Sequence, residues 1–389
     1  MDQVRPELTP EMFAPMFEPL VIRQLSLPNR FVLPAMQRGW CEDGVPEAGL
    51  ADYYVARVRG GAGLIISEAT AIDHPSATGQ NAAAKLNSRS EEAWRRTIGA
   101  VKDAGGNMFM QLFHEGALRP EGMEGTLSPS GLAWSGKING RPASRAELDE
   151  IRDAYVEAAL KAQEFGADGV EIHAAHGFLL DQFCWLETNR REDGLGGTDL
   201  AERLKFPLEV IRAIRAAAGP DFVLGWRFSQ WKEVDFNARL FESHEELRTA
   251  IVAWEEAGID LFHASTRRFY LPEWQGSDLG LAGWTTKVGT KPVIAVGSVG
   301  VRDLLFGPEQ DPDALDPLGS LEELARRFVR GDFALVAVGR AMIADPDWVN
   351  KLREGRFEAI EPFRSEMFDV SEDQWDMKLV LEGLARFAA

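Results

Sequence analysis

The sequence predicts a single α/β domain folded as a (β/α)8 TIM barrel. Eight short apolar runs with strand character recur along the 389 residues, and helical patterns separate them. No Ser-, Pro- or Gly-rich linker divides them into two domains. Alternating strands and helices are typical of a parallel sheet with helical crossovers. Eight such units favour a closed barrel over an open doubly wound sheet, which typically has fewer strands and leaves edges.

The elements follow from a junction that recurs along the chain. A helical stretch ends at glycine, and a short apolar run follows, which indicates a helix C-cap, a turn and a buried strand. The apolar runs that indicate the strands cover residues 30–33, 64–66, 108–110, 169–172, 222–224, 261–263, 291–296 and 333–336. The strands are expected to end at residues 35–38, 67–70, 111–114, 173–176, 227–230, 263–266, 297–300 and 339–340. The clearest helical patterns cover residues 146–165, 200–217 and 244–257.

The domain plan is one domain over residues 1–389. Residues 1–30 are an N-terminal extension, 31–350 the barrel and 351–389 a C-terminal tail. Residues 114–145, rich in Gly, Pro and Ser, form a long loop after the third strand, and long loops in compact domains are often lids. Residues 298–320 form a second irregular stretch.

The composition narrows the function classes. A net charge of −19 and a pI near 4.9 oppose binding to nucleic acid or to an anionic membrane surface. No apolar run approaches the roughly 20 residues that cross a bilayer, and the N-terminus lacks a signal-peptide pattern, so we expect a cytoplasmic protein. Cys41 and Cys184 provide neither a disulfide framework nor a metal cluster. The sequence leaves a homo-oligomer open.

The strand ends predict where ligands bind, since the reactive face of such a barrel is the C-terminal end of its strands. Strands seven and eight end in glycines, which let backbone N–H groups approach a phosphate. The alternative is that these glycines only turn the chain and that Arg340, which follows the second of them, pairs with Asp345. The residues expected at a phosphate are Gly297, Ser298, Gly339 and Arg340.

Two other strand ends suit a flat heterocycle. Gln111 has an amide edge, and Arg227 favours an anionic reduced ring. A ring of this kind with a phosphate tail suggests flavin mononucleotide, FMN.

His173 and His176 follow the fourth strand, where imidazoles are placed to act on a ligand. Three interpretations stay open. The pair could bind zinc, although the first strand lacks the His-x-His of barrel hydrolases. They could be buried core residues, or they could hold a substrate.

Together these motifs resemble the old yellow enzyme family of FMN-dependent NAD(P)H oxidoreductases, over roughly residues 15–355. Several motifs in the same order make the resemblance specific. They cover residues 16–20, 27–30, 111–114, 171–183, 196–197 with Arg203, 225–229, 336–341 and 345–346.

The resemblance implies the fold, the cofactor and a role for each site residue. NADPH or NADH would reduce FMN, which would pass hydride to a small electron-poor acceptor such as an activated alkene, an enone or a nitro compound. His173 and His176 would bind the acceptor's oxygen, and Arg227 would face N1 and the C2 carbonyl of the flavin. The flavin ring would contact Ala35, Met36, Gln37, Ala69 and Gln111, and its phosphate Gly297, Ser298, Gly339 and Arg340.

The chain departs from the family at three places. Phe178 stands where most members have a tyrosine that gives the substrate its proton, a loss that typically costs about 10² to 10⁴ in rate. Tyr270 is the only tyrosine expected near enough to substitute. Gln37 replaces the usual Thr or Cys, and with Phe178 and Tyr270 it is expected to contact substrate. Pro34 and Ala35 reverse the usual order.

Two alternative functions remain. The same flavin barrel could run in reverse, as a dehydrogenase or demethylase on a saturated substrate, where no proton donor is needed. A non-redox lyase or hydrolase could instead bind a phosphorylated substrate at Gly339 and Arg340.

Overall fold

Eight short apolar segments pair in parallel, and the first pairs with both the second and the eighth, which closes the ring. The computed structural model describes residues 8–134, 136–302, 314–364 and 367. The closed ring of eight parallel strands confirms the predicted (β/α)8 barrel. Its strands are β1 Phe31–Leu33, β2 Leu64–Ala71, β3 Met108–Phe113, β4 Gly169–His176, β5 Val223–Lys232, β6 Leu261–Ser265, β7 Val293–Val296 and β8 Leu335–Ala337.

Helices connect consecutive strands on the outside of the ring. The predicted helices fall within one residue of the observed bounds of α3, α5 and α6. The helices are α1 Ala48–Arg59, α2 Glu91–Asp103, α3 Arg145–Glu164, α4 Leu179–Cys184, α5 Leu200–Ala218, α6 His244–Ala257, α7 Leu281–Val288, α8 Pro317–Arg330, α9 Arg340–Ala344 and α10 Trp348–Arg353.

The helix ends follow from local sequence chemistry. Ser144 and Glu147 form a capping box at the start of α3, in which each side chain bonds the other's backbone N–H. Gly258 and Gly331 end α6 and α8 with φ values of +123° and +86°, which other residues rarely adopt. The glycine junctions that predicted the strands are therefore helix C-caps.

The lower interior of the barrel is an apolar layer. Val32, Leu64 and Leu335 point into it from their strands, and a hairpin of Leu20–Ile22 and Leu25–Leu27 packs beneath. Arg23 in the turn of this hairpin donates to Asp260, 2.5 Å away. Because this end is filled, the opening lies at the carboxyl ends of the strands.

Both predicted irregular stretches contribute described residues to that opening, Leu118 from the first and Ser298, Val299 and Val301 from the second. Residues 114–145 contain short strand pairs rather than a bare loop, including Leu132–Trp134 with Lys137–Ile138. In the second stretch, α8 already begins at Pro317, and residues 303–313 lie outside the described part of the chain.

The described part of the predicted tail packs against the start of the chain. The short 3-10 turn Phe357–Ala359 brings the ring of Phe357 to 5.9 Å from that of Phe13. The rest of the predicted tail, from 365 onward apart from Met367, is outside the described residues.

Candidate active site

A cavity of about 350 Å³ opens at the carboxyl ends of the barrel strands. It gathers almost every residue that the sequence predicted for the site. Those lining it are Ala35, Met36, Gln37, Ala69, Gln111, His173, His176, Phe178, Arg227, Gly297, Ser298, Gly339 and Arg340.

Tyr270 is the exception, because the structure does not bring it to this cavity. Its side chain is buried, and its hydroxyl accepts hydrogen bonds from Arg268 Nη1 at 2.8 Å and from the Leu315 N–H at 3.1 Å. The expected role of Tyr270 in substrate binding therefore has no support in its position. None of the chain's four tyrosines, all of them in the described part, lines the cavity.

A buried polar network lies at the base of the cavity. Gln111 Nε2 donates to Glu171 Oε1 at 2.7 Å, and Glu171 Oε2 lies 2.7 Å from Nδ1 of His263. All three side chains are almost fully buried. No role for Glu171 or His263 was predicted from the sequence. Their positions fix the Gln111 amide, so that its oxygen is the edge left for a ligand.

Arg227 places a positive charge against this network. Its guanidinium makes two long hydrogen bonds, 3.5 Å to the Ala35 carbonyl and 3.4 Å to Ser265 Oγ, and no described residue accepts from its Nε. Burial lowers the pKa of Arg227, and Glu171 and Glu233 oppose the shift, so the group remains a cation. A buried cation with unused donors is suited to an electron-rich ring.

The loops after β7 and β8 form the opposite end of the cavity. Ser298 has a φ of +53°, and its Oγ accepts a hydrogen bond from Arg340 Nη2 at 3.1 Å. A Cβ on Gly297 would lie 2.5 Å from the carbonyl oxygen of Thr266, so only glycine fits there. The arginine and the exposed backbone of these turns are suited to a phosphate. With the Arg227 donors, they fit the ring and tail of FMN.

The two histidines lie side by side at the end of β4. Their ring centroids are 5.2 Å apart with the planes nearly perpendicular, and each side chain is less than a tenth exposed. Burial, reinforced by the charge of Arg227, holds the pKa of both well below the ordinary histidine value. Both are therefore neutral at neutral pH. Within the described residues, no group of three or more metal-type ligands forms.

Hydrogen bonds select the tautomer of each ring. Nδ1 of His173 accepts the Ala175 N–H at 3.3 Å, so the proton is on Nε2. Nε2 of His176 lies 2.8 Å from Ser265 Oγ, which itself accepts from Arg227. We infer that the serine hydroxyl donates to Nε2, so that the His176 proton is on Nδ1. Each imidazole then has one N–H to offer a ligand.

Aromatic rings enclose this pair. The ring of Phe178, half-buried, lies edge-on 4.7 Å from His173 and 5.6 Å from Phe113. The indole of Trp231 stacks on His176 at 4.2 Å. These rings give the histidine pair an apolar surround, and the phenyl ring of Phe178 has no proton to give.

Several cavity residues at the end of β5 and in the loop that follows it were not predicted from the sequence. The fifth strand was expected to end at residues 227–230, yet β5 continues to Lys232 and carries further residues to the opening. An aromatic residue every few positions after Arg227 was the only available indication. The missed residues are Trp231, Glu233, Val234 and Phe236.

Comparison with known proteins agrees with this geometry. The profile of the NADH:flavin oxidoreductase / NADH oxidase family matches residues 15–303. An NADH oxidase of Thermoanaerobacter brockii is 35% identical over 355 residues, 86% of this chain and 50% of that protein. 12-Oxophytodienoate reductase 7 of Oryza sativa subsp. japonica is 35% identical over 240 residues, 57% of this chain and 60% of that protein.

The solved structure of morphinone reductase in complex with tetrahydroNAD superposes with a TM-score of 0.73 at 27% identity, covering 92% of this chain and 96% of the other. The chain spans only half to three-fifths of the two curated relatives. FMN and a nicotinamide reductant are the cofactors expected from the sequence, and they are those of the matched family. The chain belongs to the NADH:flavin oxidoreductase / NADH oxidase family, which confirms the resemblance to the old yellow enzymes.

Proposed function

We propose that the protein uses FMN and NADH or NADPH to reduce a small electron-poor acceptor whose oxygen binds between His173 and His176. The main support for this proposal is the neutral histidine pair, which lines the same cavity as Arg227. An activated alkene, enone or nitro compound has the required oxygen. The names of 12-oxophytodienoate reductase and morphinone reductase among the similar proteins support the same class.

The histidines would act as hydrogen-bond donors rather than as acids. Bound FMN supplies hydride to the electron-poor carbon and regains it from the nicotinamide. Negative charge then develops on the acceptor's oxygen, where the N–H groups of His173 and His176 point. Such a donor is typically worth about 3 kcal/mol of transition-state stabilisation. Because both rings are already neutral, no charge has to be removed before they donate.

The cofactor would be held by two sets of residues. Gln111 and Arg227 would face the ring, with Ala35, Met36, Gln37 and Ala69 as further contacts. Arg340, Ser298, Gly297 and Gly339 would hold the phosphate. The fit rests on the unused Nε of Arg227 and on the glycine turn at 297, which a Cβ would block.

Oxidation of a saturated substrate is the second candidate. The phenyl ring of Phe178 favours it, because that direction requires no proton donor. A non-redox lyase or hydrolase is separated from both by colour, since only the flavin functions give a yellow protein.

The test is an anaerobic two-step kinetic measurement. The flavin is first reduced by NADH or NADPH, and its reoxidation is then followed with enones, nitro compounds and quinones. We expect His173→Ala and His176→Ala each to slow reoxidation by an enone about 10² to 10³-fold. His244→Ala is the matched control, because His244 lies exposed on α6 outside the cavity.

Three outcomes would contradict the proposal. These are a colourless protein that takes up no FMN, a reduced flavin that no acceptor reoxidises, and histidine variants that behave like the His244 control. Net reduction of the flavin by a saturated substrate would favour the second candidate.

We also propose a cytoplasmic location, with neither nucleic acid nor membrane as a partner. The net charge of −19 supports this, and no helix in the described part is both long and apolar enough to span a bilayer. Burial raises the pKa of the Cys41 and Cys184 thiols, so both are unreactive. A homo-oligomer is compatible with these observations, and mass measurement in solution would test it.

A further inference from the structure

One acidic side chain lines the cavity among the described residues, and no role has yet been given to it. Glu233 follows the last residue of β5, and its backbone N–H donates to the carbonyl oxygen of His176 at 3.0 Å. Trp231, two residues before it, stacks on the His176 ring. The carboxyl group is therefore held beside the histidine pair by the backbone.

The Glu233 carboxyl also lacks a polar partner among the described residues. No described group donates a hydrogen bond to it or forms an ion pair with it. Its side chain is half-buried and faces the cavity. Because this carboxyl makes no structural hydrogen bond or ion pair, its proton is available to a ligand in the cavity.

The surrounding charges favour the protonated form. Burial raises the pKa of Glu233 to about 7, the negative charge of Glu115 adds to the rise, and Arg227 opposes it. Glu115, beyond β3, accepts hydrogen bonds from Thr78 Oγ1 at 2.6 Å and the Gly79 N–H at 2.9 Å, which stabilise its anion. Glu233 receives no such bonds. Burial raises the pKa of Glu115 to about 7 as well, although its hydrogen bonds oppose the rise, so the two carboxyls titrate over the same pH range.

The other titratable groups near Glu233 do not stabilise its ionised form. His173 and His176 on β4 are neutral, because the pKa of each lies well below its usual value. Arg267, after β6, stacks over the ring of Phe236 at 3.7 Å. Arg227 is thus the cation that acts on Glu233.

We propose that Glu233 is the catalytic acid that protonates the α-carbon of the reduced acceptor, in place of the tyrosine whose position Phe178 occupies. This proposal rests on the proposed function. After hydride addition the acceptor is an enolate, held through its oxygen. Its electron pair forms the new C–H bond, the carboxylic O–H bond breaks, and the O–H pair stays on the carboxylate. Water then reprotonates Glu233, and the nicotinamide supplies both electrons.

No other group that lines the cavity within the described part of the chain is as well suited. The neutral imidazoles have Nε2–H and Nδ1–H protons, but giving one up would leave an imidazolate. Tyr270 lies outside the cavity. The hydroxyls of Ser265 and Thr266 are far weaker acids than a carboxyl.

The test compares acceptors that differ in where the proton goes. An enone requires a proton on carbon, whereas a quinone takes its protons on oxygen, where they exchange with water. We expect Glu233→Gln to lower the ratio of enone to quinone reoxidation rates by about 10² or more. Glu233→Asp should recover part of the ratio. Glu256→Gln, an exposed acid on α6, should keep the ratio of the unmodified protein.

Two further measurements separate acid catalysis from a structural effect. The enone rate should fall as pH rises through about 7, and Glu233→Gln should abolish that fall. Infrared difference spectra of the FMN-loaded protein, without any acceptor, should show protonated carboxyl groups that titrate over the same range. Burial also raises the pKa of Glu68 and Glu115 to about 7, so Glu233→Gln should remove one component of this band and leave the others.

The outcomes distinguish the two proposals. If the unmodified protein reduces enones and Glu233→Gln keeps both its rate ratio and its pH profile, Glu233 is not the acid. If no acceptor reoxidises the flavin of the unmodified protein, the proposed function itself fails. An infrared titration without any kinetic change would overturn the catalytic role.

Discussion

The ion pair of Asp181 and Lys232 lies beneath the turn that carries Phe178, and its removal gives the clearest stability prediction. Both side chains are 0% exposed, and Lys232 Nζ lies 2.8 Å from Asp181 Oδ1. The second carboxylate oxygen accepts the Gly177 N–H at 2.6 Å. Asp181→Ala therefore leaves a buried ammonium group and a buried backbone donor without this partner.

The expected cost follows from that geometry. Breaking a buried pair by removing one partner typically costs about 3–5 kcal/mol. An unfolding entropy of about 2.1 cal/mol/K per residue, over 389 residues, gives about 0.8 kcal/mol/K. The melting temperature of Asp181→Ala should therefore fall by about 4–6 °C.

The fall in melting temperature of Asp181→Ala should depend on pH. Burial already lowers the pKa of Lys232, and the charge of Asp181 opposes that shift. Without Asp181 the folded-state pKa falls further below the unfolded value, so protonation favours unfolding. The deficit in melting temperature should shrink as pH rises toward the ordinary lysine range, about 10.

Thermal unfolding followed by tryptophan fluorescence would measure these shifts. Adding Lys232→Met to Asp181→Ala should recover more than half of the loss, since no buried charge is left unpaired. Glu202→Ala is the matched control, because Glu202 pairs with Lys205 on the surface and should cost less than about 1 kcal/mol. Equal shifts for the buried and the surface variant would refute the reasoning.

Three further changes test the cavity. Phe178→Tyr adds an acidic hydroxyl to a half-buried ring. Combined with Glu233→Gln, it should raise the rate of flavin reoxidation by an enone at least tenfold over Glu233→Gln alone, measured by stopped flow. An unchanged rate would mean that the new hydroxyl does not reach the substrate. Gly297→Ala forces a Cβ against a backbone carbonyl and should weaken FMN binding at least about tenfold in a fluorescence titration, whereas Gly49→Ala, in open space, should not. Ser265→Ala should raise the KM for an enone more than it slows flavin reduction, because the tautomer of the neighbouring imidazole is no longer fixed; an equal effect on both steps would count against that assignment.

The sequence predicted the barrel well because parallel strands are buried on both faces and therefore appear as short continuous apolar runs. β4 and β7 illustrate this, since each run begins within two residues of the observed strand. The histidine pair, the glycine turns and Arg227 were found for a related reason. In a closed barrel the strand ends converge, whatever the connections between them do.

The rest of the site depends on contacts that no local pattern encodes. Tyr270 was expected near the substrate because its loop follows β6, but Arg268 and the Leu315 N–H hold its hydroxyl elsewhere. Glu233 was missed because it lies beyond the predicted end of the fifth strand at residues 227–230, whereas β5 continues to Lys232. A carboxyl becomes a candidate acid only when its neighbours are known, and here they come from β3, β4 and β5.

Moving the acid from a tyrosine to a carboxyl changes how the enzyme responds to pH. A tyrosine with an ordinary pKa of about 10 stays protonated throughout the physiological range. The pKa of Glu233, raised by burial to about 7, lies within that range, and an acid is most effective when its pKa is close to the working pH. Flavin reduction by the nicotinamide needs no such proton, so only the enone half-reaction should slow as pH rises through about 7. Phe178 would then mark a change in where the proton comes from and in when it is available, with the oxygen-binding histidines unchanged.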